Sequence, residues 1–102
     1  MLYALVLTDK PDSATLRARW RPEHKAYLAQ VADRIAFAWP LLDDDGLTML
    51  GSLLVIDFPD RSTALAWLAQ EPFTSAGLYA TTQVHAFRNL WPQRAGFADP
   101  AT

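Results

Sequence analysis

Two stretches of the chain are apolar at consecutive positions, and this pattern predicts strands that are buried on both faces. The first runs from Met1 to Thr8 and the second from Leu47 to Phe58. A strand with one solvated face alternates polar and apolar residues, whereas a strand covered on both sides does not. Any fold for this chain therefore has to cover both faces of a sheet.

The segments around these strands predict an α+β, ferredoxin-like fold. Asp12 or Ser13 is suited to cap the first helix, and Pro22 should break or kink it because proline cannot donate the backbone hydrogen bond. Asp60 is the expected N-cap of a second helix. The order β-α-β-β-α-β describes one antiparallel sheet with both helices on one face. The predicted elements are a strand at 1–8, helical segments at 13–21 and 22–34, strands at 35–41 and 47–58, a helix from 60, and a strand at 79–90.

Two helices can cover only one face of this sheet, although the central strands are apolar on both. A second copy of the chain would cover the other face, so we expect a homodimer packed sheet to sheet as a dimeric αβ-barrel. The length of 102 residues allows a single domain. We place that domain at 1–92 and a loosely held tail, rich in Pro, Gly and Ala, at 93–102.

Composition excludes several classes of function. Cysteine is absent, which rules out thiol catalysis, disulfides and cysteine metal sites. The formal net charge of −2 and the lack of a basic tract argue against nucleic-acid binding. No apolar run reaches the roughly 18 residues needed to cross a membrane, and we expect a soluble, cytoplasmic protein. The heavy aromatic content suits a cleft for a flat ligand or an oligomer interface.

His24 is the residue best suited to proton chemistry. It lies four residues after Trp20 and four before Leu28, so it shares their apolar helix stripe and should point inward. The expected solvent face includes Arg17 and Lys25. A lone inward histidine is either a neutral core imidazole or a general acid/base at a cleft, since an imidazole titrates near ~6.5.

The remaining motifs predict neither a metal nor a cofactor. His85 lies on the more polar face of the last strand, where an exposed or interface position is expected. A two-histidine metal site with Asp9 or Glu71 remains an alternative, but no closely spaced histidine motif supports it. Ser52 lacks the context of a nucleophile elbow.

Several segments, in their order and spacing, resemble the YCII-related family of small dimeric αβ-barrel proteins. The resemblance covers about residues 1–90. The matching segments are Met1-Leu2-Tyr3, Asp9-Lys10-Pro11-Asp12-Ser13, Arg21-Pro22-Glu23-His24 with Tyr27-Leu28, Gly51-Ser52, and Glu71-Pro72-Phe73 followed by Ala76-Gly77.

The resemblance implies a site in which a histidine on the first helix works with an acid. His24 would be the general acid/base, Asp9 or Glu71 would orient its ring, and Ser52 would hydrogen-bond a ligand oxygen. Trp39 and Phe73 complete the predicted substrate-binding set. Some relatives are similar to muconolactone isomerases and to enzymes that eliminate chloride from hydroxylated aromatic rings, which implies a small cyclic, aromatic or lactone-like substrate.

Two departures from the family pattern bear on function. Glu71-Pro72-Phe73 stands where the family usually has Asp-Pro-Tyr, and Ala38-Trp39-Pro40 stands where it usually has Ala-Gly-Pro. A longer acid and an indole would change what fits the cleft. The alternative function is therefore a non-catalytic, small-molecule-binding or accessory homodimer. A haem-degrading or cofactor-free monooxygenase is a third hypothesis, based on analogy of fold alone.

Overall fold

The computed structural model describes residues 1–91, which form a four-stranded antiparallel sheet with helices on one face. In this sheet the first strand of the chain lies between the third and the fourth, and the second lies at the edge beside the third. This is the order of a ferredoxin-like fold, so the predicted fold class is confirmed. The predicted domain end at 92 and the tail at 93–102 lie outside the described residues. The elements are β1 Leu2–Asp9, α1 Ala14–Ala29, a 3₁₀ turn Ala32–Arg34, β2 Ile35–Leu42, β3 Met49–Asp57, α2 Arg61–Gln70, α3 Pro72–Ser75 and β4 Tyr79–Phe87.

The core lies between the central strands and the helices. Leu5 and Leu7 of β1, with Leu54 and Ile56 of β3, are almost fully buried beneath the helices. Ala64 of α2 belongs to the same cluster, because the apolar side of that helix packs on the sheet. Burial of these side chains is the main favourable contribution to folding.

The opposite face of the sheet is apolar but carries no helix. Strand register places Val6 opposite Leu53, and Leu53 opposite Trp39. Val6 and Leu53 are half-buried and Trp39 is exposed. The central strands are therefore apolar on both faces, as the sequence pattern predicts. Within one protomer the second face is only partly covered.

Helix α1 differs from its prediction, because it continues through Pro22 from Ala14 to Ala29. Pro22 removes one hydrogen bond, to the carbonyl of Ala18, and both residues are exposed. Water can therefore satisfy the carbonyl that is left over. The predicted break was wrong, and His24 lies well inside one helix instead of in the first turn of a second segment.

The ends of several elements follow from single residues. Asp60 caps α2 as predicted, accepting from the backbone N–H of Thr63 at 2.7 Å. This hydrogen bond and the one from the Thr63 hydroxyl lower the pKa of the Asp60 carboxyl. Gly51 permits the close approach of β3 to β1, because a Cβ there would lie 2.0 Å from the carbonyl oxygen of Leu7. The last strand ends at Phe87, earlier than the predicted position 90.

Candidate functional site

Two buried acid–base pairs meet between α1 and the ends of β1, β3 and β4. The first, which we call the arginine pair, consists of Asp9 and Arg17. The second, the histidine pair, consists of His24 and Glu71. Arg17 and His24 both belong to α1 and lie two helical turns apart, so they project from the same side of the helix.

The arginine pair is held by three hydrogen bonds. Arg17 donates from Nε to Oδ2 of Asp9 at 2.7 Å and from Nη2 to Oδ1 at 3.1 Å. Nη2 also donates to Oγ of Ser52 at 2.9 Å. The strand register shifts between Thr8 and Asp9, at the last residue of β1, and such irregularities re-aim a side chain. The forked contact fixes both side chains in position.

The burial of Arg17 contradicts the prediction that it lies on the solvent face of α1. Its side chain is only 8% exposed, and that of Asp9 only 5%. The spacing of seven residues between Arg17 and His24 was the signal that could have revealed a shared inward face. Asp9, one of the two acids predicted to orient the imidazole, contacts Arg17 instead.

In the histidine pair, Nδ1 of His24 is hydrogen-bonded to Oε1 of Glu71. Glu71 is fully buried at the junction of α2 and α3, where it is also the N-cap of α3. Its second oxygen, Oε2, accepts from the backbone N–H of Thr74 and from the hydroxyl of Tyr79, both at 3.3 Å. Both carboxylate oxygens are therefore satisfied, as burial of an acid requires.

The contact with Glu71 determines what the imidazole of His24 can do. An ionised carboxylate can only accept, so with Glu71 in that form Nδ1 carries the proton in this hydrogen bond. In the neutral ring, Nε2 is then the basic nitrogen. Because His24 lines a cavity, a ligand placed there would meet an imidazole held in one tautomer and orientation.

Phe73 packs against both pairs. Its ring stacks on the imidazole of His24 with centroids 4.1 Å apart and an interplanar angle of 14°. The guanidinium carbon of Arg17 lies 4.8 Å from the centroid of the same ring. Phe73 is fully buried, so the structure places this predicted substrate-binding residue behind His24 and not on the cavity wall.

The cavity beside His24 has a volume of about 360 Å³. Among the predicted ligand contacts, Ser52 and Trp39 line it with His24, although Ser52 is buried and bonded to Arg17. The volume lies near the lower end of the range for small-molecule sites, so it suits a single ring. The other lining residues are Arg17, Arg21, Lys25, Leu28, Ala38, Pro40, Met49 and Leu54.

Tyr79 is a site residue that the sequence analysis did not identify. Burial, together with the nearby carboxylate of Glu71, raises the pKa of its phenol far above the ordinary value. Tyr79 therefore stays a neutral hydrogen-bond donor to Glu71. It pairs with Asp9 across β1 and β4, and that register could not be read from the strand pattern alone.

His85 lies away from this site, on the exposed face of β4, with Gln83 as its neighbour at 3.3 Å. Within residues 1–91, no group of three or more His, Cys, Asp or Glu side chains is arranged to hold a metal ion. Over the same residues, the helices are too short or too polar to cross a membrane. The expectations of no cofactor, no nucleic acid and a cytoplasmic location stay predictions.

Known proteins resemble the chain in sequence and in structure. The model of the YCII-related domain matches residues 1–88. Protein YciI of Escherichia coli is 32% identical over 98 residues, covering 89% of this chain and all of the relative. An uncharacterized protein of Haemophilus influenzae is 30% identical with the same coverage.

A similar solved structure is that of 5-chloro-2-hydroxyhydroquinone dehydrochlorinase (TftG) from Burkholderia phenoliruptrix, in complex with 2,5-dihydroxybenzoquinone. It has a TM-score of 0.80 and 30% sequence identity to this chain. The match covers 86% of this chain and 94% of the other. The two proteins therefore share the fold over almost their whole lengths.

Proposed function

The chain belongs to the YCII-related domain family, and from this we propose that it is an enzyme in which His24 transfers a proton at a small cyclic or aromatic substrate. One observation carries the proposal: the fully buried Glu71 holds Nδ1 of His24, while the same imidazole lines a cavity. An imidazole oriented by a buried acid is the arrangement used by general acid/base histidines.

In the proposed mechanism, Nε2 of His24 takes a proton from the substrate and the ring becomes an imidazolium. Glu71 stabilises that cation through the Nδ1 hydrogen bond, and Thr74 and Tyr79 hold the carboxylate in place. In an isomerisation, His24 returns the proton to a different substrate atom. In an elimination, His24 keeps the proton, the electron pair of the broken bond to hydrogen forms a new double bond, and the leaving group departs as an anion with its bonding pair.

The proposed substrate class follows from the cavity and from the solved neighbour. The cavity holds about one ring, and Leu28, Ala38 and Leu54 offer it an apolar wall. Ser52 also lines the cavity, and its hydroxyl, which accepts from Arg17, would donate to a ligand oxygen. The neighbour is, by its name, a dehydrochlorinase of a chlorinated hydroxyhydroquinone. We therefore propose a dehydrochlorinase, related lyase or isomerase acting on hydroxylated rings or lactones.

The test measures turnover of a panel of chlorinated hydroquinones and unsaturated lactones. Chloride release and the change in absorbance report product formation. His24→Gln should lower kcat/KM by about 10²–10⁴-fold, the usual contribution of a general acid/base. Asp33→Asn is the control, since that side chain is exposed and does not line the cavity, and it should keep full activity. Equal turnover by His24→Gln and the unmodified protein would contradict the proposal.

The second candidate function is a non-catalytic, small-molecule-binding or accessory protein. Trp39 favours it, because this residue lines the cavity at a position where the family usually has glycine. This function predicts that ligands bind beside His24 without conversion and that His24→Gln alters affinity alone. Saturation binding without product formation across the whole panel would favour it over the enzyme.

We further propose that the protein is a homodimer packed through the open face of the sheet. Val6, Leu53 and Trp39 form an apolar row across three strands on that face. Leu53→Glu should shift the protein to a monomer in sedimentation experiments, because it places a charge in the proposed interface. Leu65→Glu, on the exposed side of α2, is the control. A monodisperse monomer of the unmodified protein at micromolar concentration would contradict this proposal.

A further inference from the structure

The cavity beside His24 is lined by positive charge. Arg17, Arg21 and Lys25 contribute to its wall, and no Asp or Glu side chain of the described residues 1–91 lines it. The chain as a whole carries a formal net charge of −2. The cavity lining is therefore positively charged although the formal net charge of the chain is negative.

The three cations are not equivalent. Both carboxylate oxygens of Asp9 accept from Arg17, which neutralises that charge. Within residues 1–91, neither Arg21 nor Lys25 forms an ion pair. Both are exposed at the cavity, whereas His24 is buried deeper in the same wall. Among the residues that the structure describes, two charges at the cavity mouth therefore have no acidic partner.

The spacing of Arg21 and Lys25 also indicates a ligand. They lie four residues apart on α1, so the two cations are neighbours on the helix surface. Like charges at this spacing repel and disfavour the helix. An anion bound between them would remove that repulsion, and a guanidinium with an ammonium can share the two oxygens of a carboxylate.

We propose that the ligand of this cavity carries a carboxylate, held at the mouth by Arg21 and Lys25. Its ring lies on the apolar wall formed by Leu28 and Leu54, and its reacting atom faces His24. This inference rests on the proposed function, because it specifies the substrate class of the same site. It also gives the substrate an orientation, with the anionic end toward solvent and the reacting end inside.

The test compares two probes of the same shape, 4-hydroxybenzoate and its neutral amide, 4-hydroxybenzamide. Each is titrated into the unmodified protein, and binding is followed through the NMR signals of the His24 ring. The carboxylate should bind at least about tenfold more tightly than the amide, as expected for charge-assisted hydrogen bonds. Arg21→Gln/Lys25→Gln should remove this preference and leave the affinity for the amide unchanged.

The matched control is Arg19→Gln/Arg34→Gln, which removes the same charge from exposed residues that do not line the cavity. It should keep the preference for the carboxylate. Equal affinities for the two probes in the unmodified protein, or a preference that survives Arg21→Gln/Lys25→Gln, would overturn the inference. In either case the amide would still report a ligand site beside His24, so the proposed function would stand. Failure of both probes to perturb the His24 ring overturns the inference together with the ligand site.

Discussion

The arginine pair and the histidine pair touch the same phenyl ring and are equally hidden from solvent, yet their chemistry differs. Arg17 keeps its charge at every accessible pH, so Asp9 faces a permanent cation. His24 carries an imidazole, which exists in a neutral and a charged form, and Glu71 holds the ring through Nδ1. Burial beside an acid alone therefore does not make a side chain a candidate for proton transfer, whereas an imidazole held at a cavity wall is one.

The two pairs should also contribute differently to the stability of the fold and to turnover. Removal of one partner of the arginine pair leaves a buried charge with nothing to compensate it. Removal of the Glu71 carboxylate leaves an imidazole, which unlike a guanidinium need not carry a charge, so most of that cost is avoided. We therefore expect the arginine pair to dominate the free energy of unfolding and the histidine pair to dominate turnover.

The largest expected effect is on stability, from loss of the guanidinium. Arg17→Gln should lower the free energy of unfolding by about 3–5 kcal/mol, since Asp9 would remain buried and unpaired. Arg19→Gln, two residues away and exposed, should change it by less than about 0.5 kcal/mol. Urea denaturation of the two variants makes the comparison.

A double variant tests whether Asp9 and Arg17 act together. Asp9→Asn alone should also lower the free energy of unfolding. Asp9→Asn combined with Arg17→Gln should lower it by less than the sum of the two single changes. Strict additivity would show that the two residues do not act as a pair. If Arg17→Gln lowered the free energy of unfolding as little as Arg19→Gln does, the arginine pair would not be a major contribution to stability.

The next effect is on turnover, from the acid of the histidine pair. Glu71→Gln should lower kcat by about 10²-fold, which corresponds to about 2.7 kcal/mol of transition-state stabilisation. The neutral amide cannot stabilise the imidazolium and can favour the other tautomer of His24. The free energy of unfolding should fall by only about 1 kcal/mol. If Glu71→Gln lowered the free energy of unfolding as much as Arg17→Gln and left kcat unchanged, the histidine pair would contribute to stability and not to turnover.

The smallest effect concerns Tyr79, which links the histidine pair to β4. Tyr79→Phe should cost about 1 kcal/mol at pH 8, the value of one hydrogen bond. Burial and the Glu71 carboxylate raise the pKa of this phenol, so the folded state keeps a proton that the unfolded chain releases. That stabilising contribution is complete below about pH 10 and declines as the pH rises further.

Urea denaturation at pH 8 and pH 11 tests this dependence. The unmodified protein should lose more stability between the two conditions than Tyr79→Phe does. Identical losses for the two proteins would show that the phenol of Tyr79 does not titrate differently in the folded and unfolded states.

Much of the fold could be predicted because its signals are local. The strands apolar on both faces and the cap at Asp60 follow from the type of side chain at each position and from its spacing along the chain. The inward direction of His24 followed in the same way. The break at Pro22 was wrong because tertiary contacts on both sides of the proline hold one helix together.

The site was harder to predict because its contacts join distant segments. Either Asp9 or Glu71 could have met His24, and only the packing of α3 against α1 selected Glu71. Arg17 was assigned to solvent because arginine is seldom buried, and its partner lies on another element. Tyr79 lies at the site because the register of β1 and β4 pairs it with Asp9, and the periodicity of the sequence does not determine that register.

The most direct test of the central claim is the tautomer of His24, measured by ¹⁵N NMR of the imidazole nitrogens with and without 2,5-dihydroxybenzoquinone. We expect a neutral ring with the proton on Nδ1, bonded to Glu71, and a large change in the Nε2 signal when the ligand enters the cavity. A ring protonated on Nε2, or one that ignores the ligand, would contradict proton transfer by His24 and leave it as a core residue.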